Sequence, residues 1–368
     1  MTTRGPLHVL HASIRDFRGI DELELDFAEG DAPGEGGVMV LGGDNGSGKT
    51  SVLEALALGL GQVDLLPPGR ATLAELVRFG SRDFSIKLKV SCGEQPEPLL
   101  ESHGALLNQP RVLRASTHSH REDFPAGTVN TVPNGYFWWA IGNLAPRVVY
   151  HSARRDADGL PASGGDASTL AGDSRRIAEL KTTLVNLYTR QHLRRPRANG
   201  GTDRFERLQR FVRRFLGDDA TVDVMFVDDS DRNGQEVVLR RGELPDGVDT
   251  LADARARAKE RGDVPVVLPI DHLSSGQLAL FAFVEPLLFH ESPPDLALID
   301  EPERHLHVQW QRVIVSALRE LSPATQFVVA THAPDIMQSV TSAELTYLLP
   351  RDDPRRRAHA EPGSELAR

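Results

Sequence analysis

"GVMVLGGDNGSGKTSVLEALALGLG", residues 37–61, joins a short apolar run to a glycine-rich turn and then to a second apolar stretch. "GVMVL" (37–41) has the continuous apolarity of a strand covered on both faces, as in a parallel sheet. "TSVLEALALGLG" continues as a helix, with Leu53, Leu56, Ala57 and Leu60 on one face. Between them, Gly43-x4-Gly48-Lys49-Thr50 satisfies the phosphate-loop pattern. Its glycines let backbone N–H groups turn toward phosphate oxygens at a helix N-terminus, where the helix dipole also favours an anion. The expected nucleotide contacts are therefore Gly43, Asp44, Asn45, Gly46, Ser47, Gly48, Lys49, Thr50 and Ser51. Lys49 is expected to neutralise β- and γ-phosphate charge, and the Thr50 hydroxyl to reach Mg²⁺. A strand before the loop and a helix after it are what this chemistry demands, and they separate the match from a coincidence of loop composition.

A second stretch, "LALIDEPERHLHVQW" (296–310), runs an apolar strand into two carboxylates. A buried strand that ends in two acids is costly unless a cation meets them. Asp300 is the expected Mg²⁺ partner, and Glu301 is placed to polarise a water against the γ-phosphate. The bland alternative is a carboxylate pair capping a helix that starts near Glu303. Two shorter stretches flank this one. "LSSGQ" (273–277) reads by itself as a helix cap. "ATHAP" (330–334) places His332 after a buried strand, where a lone histidine is usually structural.

Composition is that of a soluble globular chain of 368 residues, 40% hydrophobic and 26% charged, long enough for one large core or two modest ones. No apolar run approaches the roughly 18 residues that would span a bilayer. The opening "MTTRGPLHVLHASIRDF" has no signal-like apolar core, and the single cysteine, Cys92, permits neither an intrachain disulfide nor a cysteine zinc site. The cytoplasm is the expected compartment. Net charge is −10, which argues against a surface that coats nucleic acid indiscriminately. From Arg190 to Arg214, however, nine arginines face only Asp203 and Glu206, a local +7 on an otherwise acidic body.

The expected fold class is α/β, with an N-terminal antiparallel β subregion. Residues 7–28 alternate as two antiparallel strands, and 84–92 form another. From 93 to 145 the pattern fades, apart from "YFWWAIGNL", and "RVVYHS" (147–152) returns as a strand. After a Gly/Asp/Ser-rich linker at 156–172 come two amphipathic helices at 174–193 and 203–216, a helical hairpin with an Arg-rich turn. A β-hairpin at 221–241, a polar helix at 251–261 and strand "VPVVLPI" follow. Then come a helix at 275–290, strand "LALID", a helix at 303–321, strand "QFVVATH" and strand "LTYLL".

Residues 1–92 and 266–350 are therefore expected to make one nucleotide domain, with 93–265 inserted and 351–368 a disordered tail. The phosphate loop and the Asp300 strand are expected side by side in one sheet. Two metal readings fail. Asp229-x-Asp231-x-Asn233-Gly234 matches half a calcium loop, but position twelve is Arg240 and both flanks read as strands. His305 and His307, two apart on a helix, diverge.

The order phosphate loop, LSSGQ, apolar-DE and strand-THAP, with 22 to 30 residues between successive members of the last three, resembles the ATP-binding cassette ATPases. "EPERHLHVQWQ" and "IRDFRGI" are similar to the SMC/RecF/OLD-like branch found in DNA repair and bacterial anti-phage systems. The resemblance covers about 1–91 and 266–350. It implies an ABC-type P-loop head with an inserted helical/β arm, and a homodimer closed on ATP and Mg²⁺. Ser274 and Gly276 would contact the partner's γ-phosphate, His332 would be the switch histidine, and Arg18 would approach the nucleotide. No Q-loop glutamine can be assigned among Gln62, Gln95 and Gln109.

No TOPRIM or HNH pattern follows the ATPase motifs, so a nuclease or other effector is expected in trans. The Arg190–Arg214 arm is expected to dock nucleic acid or a protein. Two other functions compete. A transporter's nucleotide-binding subunit would need a membrane partner and a conventional Q-loop. A nuclease within the insertion would rest on "HSHRED" (118–123) or "YHSARRD" (150–156), whose spacing fits no nuclease.

Overall fold

The computed structural model describes residues 6–30, 32, 34–62, 76–92, 99–105, 113–116, 121–124, 146–151, 174–193, 204–228, 234–244, 246–261, 267–288 and 293–349. In chain order the first elements are β1 (Leu7–Phe17), β2 (Ile20–Asp26), β3 (Val38–Gly42), helix α1 (Lys49–Gly59), β4 (Asp83–Cys92), β5 (Leu99–Ala105), β6 (Leu113–Ser116), β7 (Arg121–Phe124) and β8 (Val148–His151). Next come α2 (Ser174–Leu193), α3 (Arg204–Leu216), β9 (Ala220–Phe226), β10 (Gln235–Arg241), α4 (Leu251–Arg261), β11 (Val267–Pro269) and α5 (Ser275–Leu288). The last are β12 (Leu296–Asp300), α6 (Val308–Gln311), α7 (Ile314–Leu321), β13 (Gln326–Thr331), α8 (Pro334–Met337) and β14 (Leu345–Tyr347). The chain divides into two compact units. One comprises Met1–Gly164, Pro294–Arg304 and Pro323–Arg368, the other Gly165–Pro293 and His305–Ser322.

The first unit holds two sheets. The antiparallel sheet has the order β2-β1-β4-β5-β6-β7. Along β1 the buried set shifts from Leu7 and Val9 to Ala12 and Ile14, because the register against β4 slips between Val9 and His11. One extra residue there keeps the apolar side chains on the core face. Strands β5, β6 and β7 fall where the sequence pattern fades. Their segments, "LLESHGA", "LRAS" and "REDF", are short and largely polar, and an antiparallel backbone ladder pairs them without any apolar alternation. "YFWWAIGNL" and residues 118–120 lie outside the described residues.

The second sheet is parallel, in the order β14-β3-β13-β12-β8. The phosphate-loop strand β3 and the acid-bearing strand β12 are thus one strand apart instead of adjacent. The strand between them, β13, is buried at every position, as a central strand of a parallel sheet must be. Helix α1 contacts β1 and β4 of one sheet and β12 and β13 of the other. It is therefore buried on all sides from Val52 to Gly59, and not on one face only as its sequence pattern suggests.

Two side chains join the sheets. Asp295 accepts the Leu7 N–H at 3.0 Å and the Arg147 N–H at 2.8 Å. The Gln326 amide accepts the Val9 N–H and donates to the Val9 carbonyl, both at 2.8 Å, replacing a strand partner for that stretch of β1.

In the second unit, β11-β10-β9 form an antiparallel sheet. The apolar face of α3 (Phe205, Leu208, Phe211, Val212 and Phe215) is buried. Phe215 meets Trp310 edge-on at 5.9 Å, and Tyr188 meets Phe205 at 5.7 Å. The helix expected over 303–321 is broken into a 3-10 turn (Pro302–His305), α6 and α7. His307 starts α6 as its N-cap, its ring accepting the Gln309 N–H at 3.3 Å. That engages one ring nitrogen of the refused His-x-His pair. Among the described residues no cluster of three or more His, Cys, Asp or Glu could hold a metal ion.

Candidate nucleotide site

The site is built at the C-terminal ends of β3 and β12, in the first unit. Gly43 has φ 148, and a Cβ there would come within 2.5 Å of the Leu348 carbonyl oxygen. Gly48, the residue before α1, has φ 105. Only glycine adopts these angles and close approaches without strain, so the sequence's glycines shape the turn that aims its amides outward. Lys49 opens α1. Its Nζ donates to the carbonyls of Gly43 at 2.7 Å and Asp44 at 2.9 Å. Burial lowers the Lys49 pKa, while the carboxylates of Asp300, Glu301, Glu303 and Asp44 pull the other way. Ser47 Oγ is buried and has no hydrogen-bond partner among the described residues. Such a hydroxyl fits an anion's oxygens.

Thr50 Oγ1 donates to Asp300 Oδ2 at 2.9 Å and lies 3.2 Å from Oδ1, joining residues 250 apart in sequence. Burial pushes the Asp300 carboxyl up to about 7; the Thr50 hydrogen bond and Lys49 lower it, and the charges of Glu301 and Glu54 raise it. A desolvated carboxylate beside a hydroxyl is a donor set for a hard, oxygen-seeking cation.

Glu301 follows in the left-handed region, at φ 50, with its N–H donating to the Ala330 carbonyl at 2.8 Å. That conformation costs a non-glycine residue about 1 kcal/mol or more and is held here between the end of β12 and the 3-10 turn that starts at Pro302. Its carboxylate pairs with Arg304 Nε at 3.0 Å.

A cleft of about 770 Å³ opens here, and its lining includes Asn45, Gly46, Gly48, Lys49, Thr50, Glu301 and Arg304; Asp300 is reached through Thr50 and is not part of the lining. The volume is that of a small-molecule pocket. Arg18 lines it too, also at positive φ, and its guanidinium pairs with Glu54 at 2.9 Å.

His332 follows β13 directly and stands outside the cleft lining. Glu303 Oε1 accepts both its backbone N–H, at 2.8 Å, and its Nδ1–H, at 2.9 Å. The sequence reading missed Glu303 and Glu54. Each is a buried carboxylate whose partner lies far along the chain, and only the isolated acid inside an apolar helix, Glu54 in "TSVLEALALGLG", carried a signal. Gln62 donates to the Pro146 carbonyl at 3.3 Å, while Gln95 and Gln109 lie outside the described residues.

Ser274 and Gly276 belong to the second unit. Ser274 precedes α5 as its cap: its N–H donates to Gln277 Oε1 at 2.9 Å, and its Oγ lies 3.1 Å from the same oxygen. The reciprocal Gln277 N–H to Ser274 Oγ contact is 3.4 Å, so Ser-x-x-Gln is a capping box. Ser274 and Ser275 are exposed. In the same unit several arginines of α3 are structural. Arg204 reaches the Leu288 carbonyl, Arg207 the Leu321 carbonyl, and Arg214 both Glu320 and Ser316. Arg194, Arg195 and Arg197 lie outside the described residues.

Two family models match the chain. The family described as "AAA domain, putative AbiEii toxin, Type IV TA system" matches residues 164–338, and an AAA domain family matches residues 12–97. The "Retron Vc95 probable ATPase" of Vibrio cholerae serotype O1 biovar El Tor is 34% identical over 89 residues, 21% of this chain and 17% of that protein. The Septu protein PtuA of Bacillus mycoides (strain KBAB4) is 23% identical over 355 residues, 92% of this chain and 40% of that protein. The chain thus spans less than half the length of these curated relatives. A crystal structure of an Smc head bound to the winged-helix domain of ScpA shares the fold, with a TM-score of 0.55 at 15% identity over 90% of this chain and 92% of that one. Sheet, motif order and matches agree: the chain is similar to AAA-domain proteins over residues 12–97 and 164–338 and has the fold of an Smc head.

Proposed function

We propose that this protein binds and hydrolyses ATP with Mg²⁺, dimerises around ATP, and acts as sensor or regulator of a DNA-directed anti-phage complex. Its effector, such as a nuclease, would act in trans. The observation that carries the nucleotide reading is the Thr50–Asp300 contact beside Lys49, which assembles residues 250 apart at one cleft. Likeness to a retron ATPase and a Septu protein supports the defence role.

In this reading the loop amides and Lys49 hold the β- and γ-phosphates. Thr50 and Asp300 would hold Mg²⁺, which when bound neutralises phosphate charge; the raised pKa of Asp300 fits a carboxylate in need of a cation. Glu301 takes a proton from the water that attacks the γ-phosphorus, giving ADP and phosphate. Its left-handed backbone carries the carboxylate off the strand end. Glu303 holds the His332 ring by Nδ1, leaving Nε2 for the ligand. Ser274 and Gly276 close over the partner's γ-phosphate, a role their exposed helix start leaves open. Arg210 and Arg213, exposed on α3, supply part of the docking surface for nucleic acid read from the Arg190–Arg214 stretch.

Sedimentation of Glu301→Gln tests the mechanism. ATP should add self-association relative to the ligand-free protein, ADP should not, and Ser274→Arg in the same chain should abolish the gain. A mass that ignores ATP while ATP still binds would leave a phosphate-loop protein without the signature mechanism.

A further inference from the structure

The cleft that holds Lys49, Thr50 and Glu301 has a second kind of lining: Arg18, Val77 and Phe79. Phe79 is fully exposed, at 103% of its reference area. A large aromatic side chain in water needs explanation when it stands in a ligand cleft instead of on open surface. Its loop is firmly built. Val77 bridges Phe17, the Arg78 N–H donates to the Asp16 carbonyl at 2.8 Å, and the Arg18 N–H donates to the Leu76 carbonyl at 2.7 Å. Ser81 Oγ closes the loop onto Asp16 Oδ1 at 2.5 Å. Asp16 and Arg18 are both in the left-handed region, so the end of β1 buckles around Phe17 to meet this loop.

Arg18 completes the picture. Its charge is already met by Glu54, which is 1% exposed and 2.9 Å away. A guanidinium so neutralised is a poor phosphate ligand, and the buried Glu54 charge would repel phosphate further. What it still offers is a flat face, and guanidinium planes and aromatic rings are the surfaces on which nucleobases stack.

We propose that Phe79, with the Arg18–Glu54 pair beside it, forms the base-binding subsite of the cleft and stacks on the purine of the bound nucleotide. The subsite rests on the nucleotide reading of the phosphate loop, and the test separates the two. Affinities for ATP and for inorganic tripolyphosphate, both with Mg²⁺, are compared in the full chain and in Phe79→Ala and Phe79→Trp. Because Phe79 is exposed, neither change threatens folding. Phe79→Ala should weaken ATP about 5- to 100-fold, the worth of one base–aromatic stack, and leave tripolyphosphate unchanged. Phe79→Trp should keep ATP affinity, and its added fluorescence should respond to ATP and not to tripolyphosphate. Unchanged ATP affinity in Phe79→Ala would overturn the subsite alone, as would equal losses for both ligands. A wild type that binds neither ligand would overturn the phosphate-loop reading and the subsite with it.

Discussion

The phosphate-loop cleft and the LSSGQ segment are both short motifs at the start of a helix, yet they are completed in opposite ways. At the cleft, Lys49 and Thr50 open α1; Lys49 bonds within the loop, but Thr50 is met by distant chain, Asp300 from β12, and Glu301 and Arg304 line the cleft beyond it. At LSSGQ, Ser274 is satisfied three residues away, by Gln277 in its own first turn. One motif is wired into its unit by tertiary contact, while the other is locally self-sufficient and exposes its outer face. A motif of the first kind states its role within one fold. The second kind is indistinguishable from an ordinary cap until another surface reaches it.

If that contrast is right, changes at the cleft should remove chemistry outright. Glu301→Gln should lower hydrolysis by about 10²–10⁴-fold, the usual worth of a general base, with ATP binding retained; steady-state phosphate release measures it. Lys49→Ala should lower ATP affinity by about 30- to 4,000-fold, because truncating one partner of a desolvated charge pair costs about 2–5 kcal/mol. Calorimetric titration that finds undiminished affinity would dissolve the contrast, since the cleft would then be no more wired to a ligand than LSSGQ is.

A smaller effect concerns pH. The folded pKa of Asp300, about 7, lies above its ordinary 3.8. The neutral carboxyl is therefore the form the fold prefers. Its contribution to stability is full below about pH 4 and is lost as pH rises through 7. Ligand-free protein should melt lower at pH 8 than at pH 5.5, and Asp300→Asn should flatten the difference. Between these two pH values the swing should be about 2 kcal/mol, at about 1.4 kcal/mol per pKa unit over the part of the window between pH 5.5 and 7.

The smallest prediction belongs to the second unit. Arg214 and Glu320 are 35% and 56% exposed, so solvent screens their 2.5 Å pair. A double-mutant cycle in urea should give a coupling of about 0.2–1 kcal/mol. A larger value would mean that α3 is held to α7 by charge more than by its apolar face.

The parallel-sheet motifs were legible because their residues are local: strand, turn and helix are contiguous around Lys49, and Asp300 and Glu301 end an unbroken apolar run. Strand order was not, since nothing in "QFVVATH" says that it lies between β3 and β12. Strands β5 to β7 were invisible because backbone pairing leaves no imprint on side-chain pattern. The breaks after Pro302 and at His307 hid in a stretch whose apolar residues keep a helical spacing. Glu54 and Glu303 carry meaning only through Arg18 and His332, which the fold brings to them.

The left-handed backbone at Glu301 sets stability against activity. Glycine accepts φ near 50 freely, whereas glutamate there costs about 1 kcal/mol. A library selected only for heat resistance should therefore drift toward glycine or asparagine at this position, and each such variant would be a better-folded, inert protein. Selection for turnover should restore the acid at the expense of melting temperature. The residue proposed to do the chemistry is thus one that the fold, left to itself, would give away.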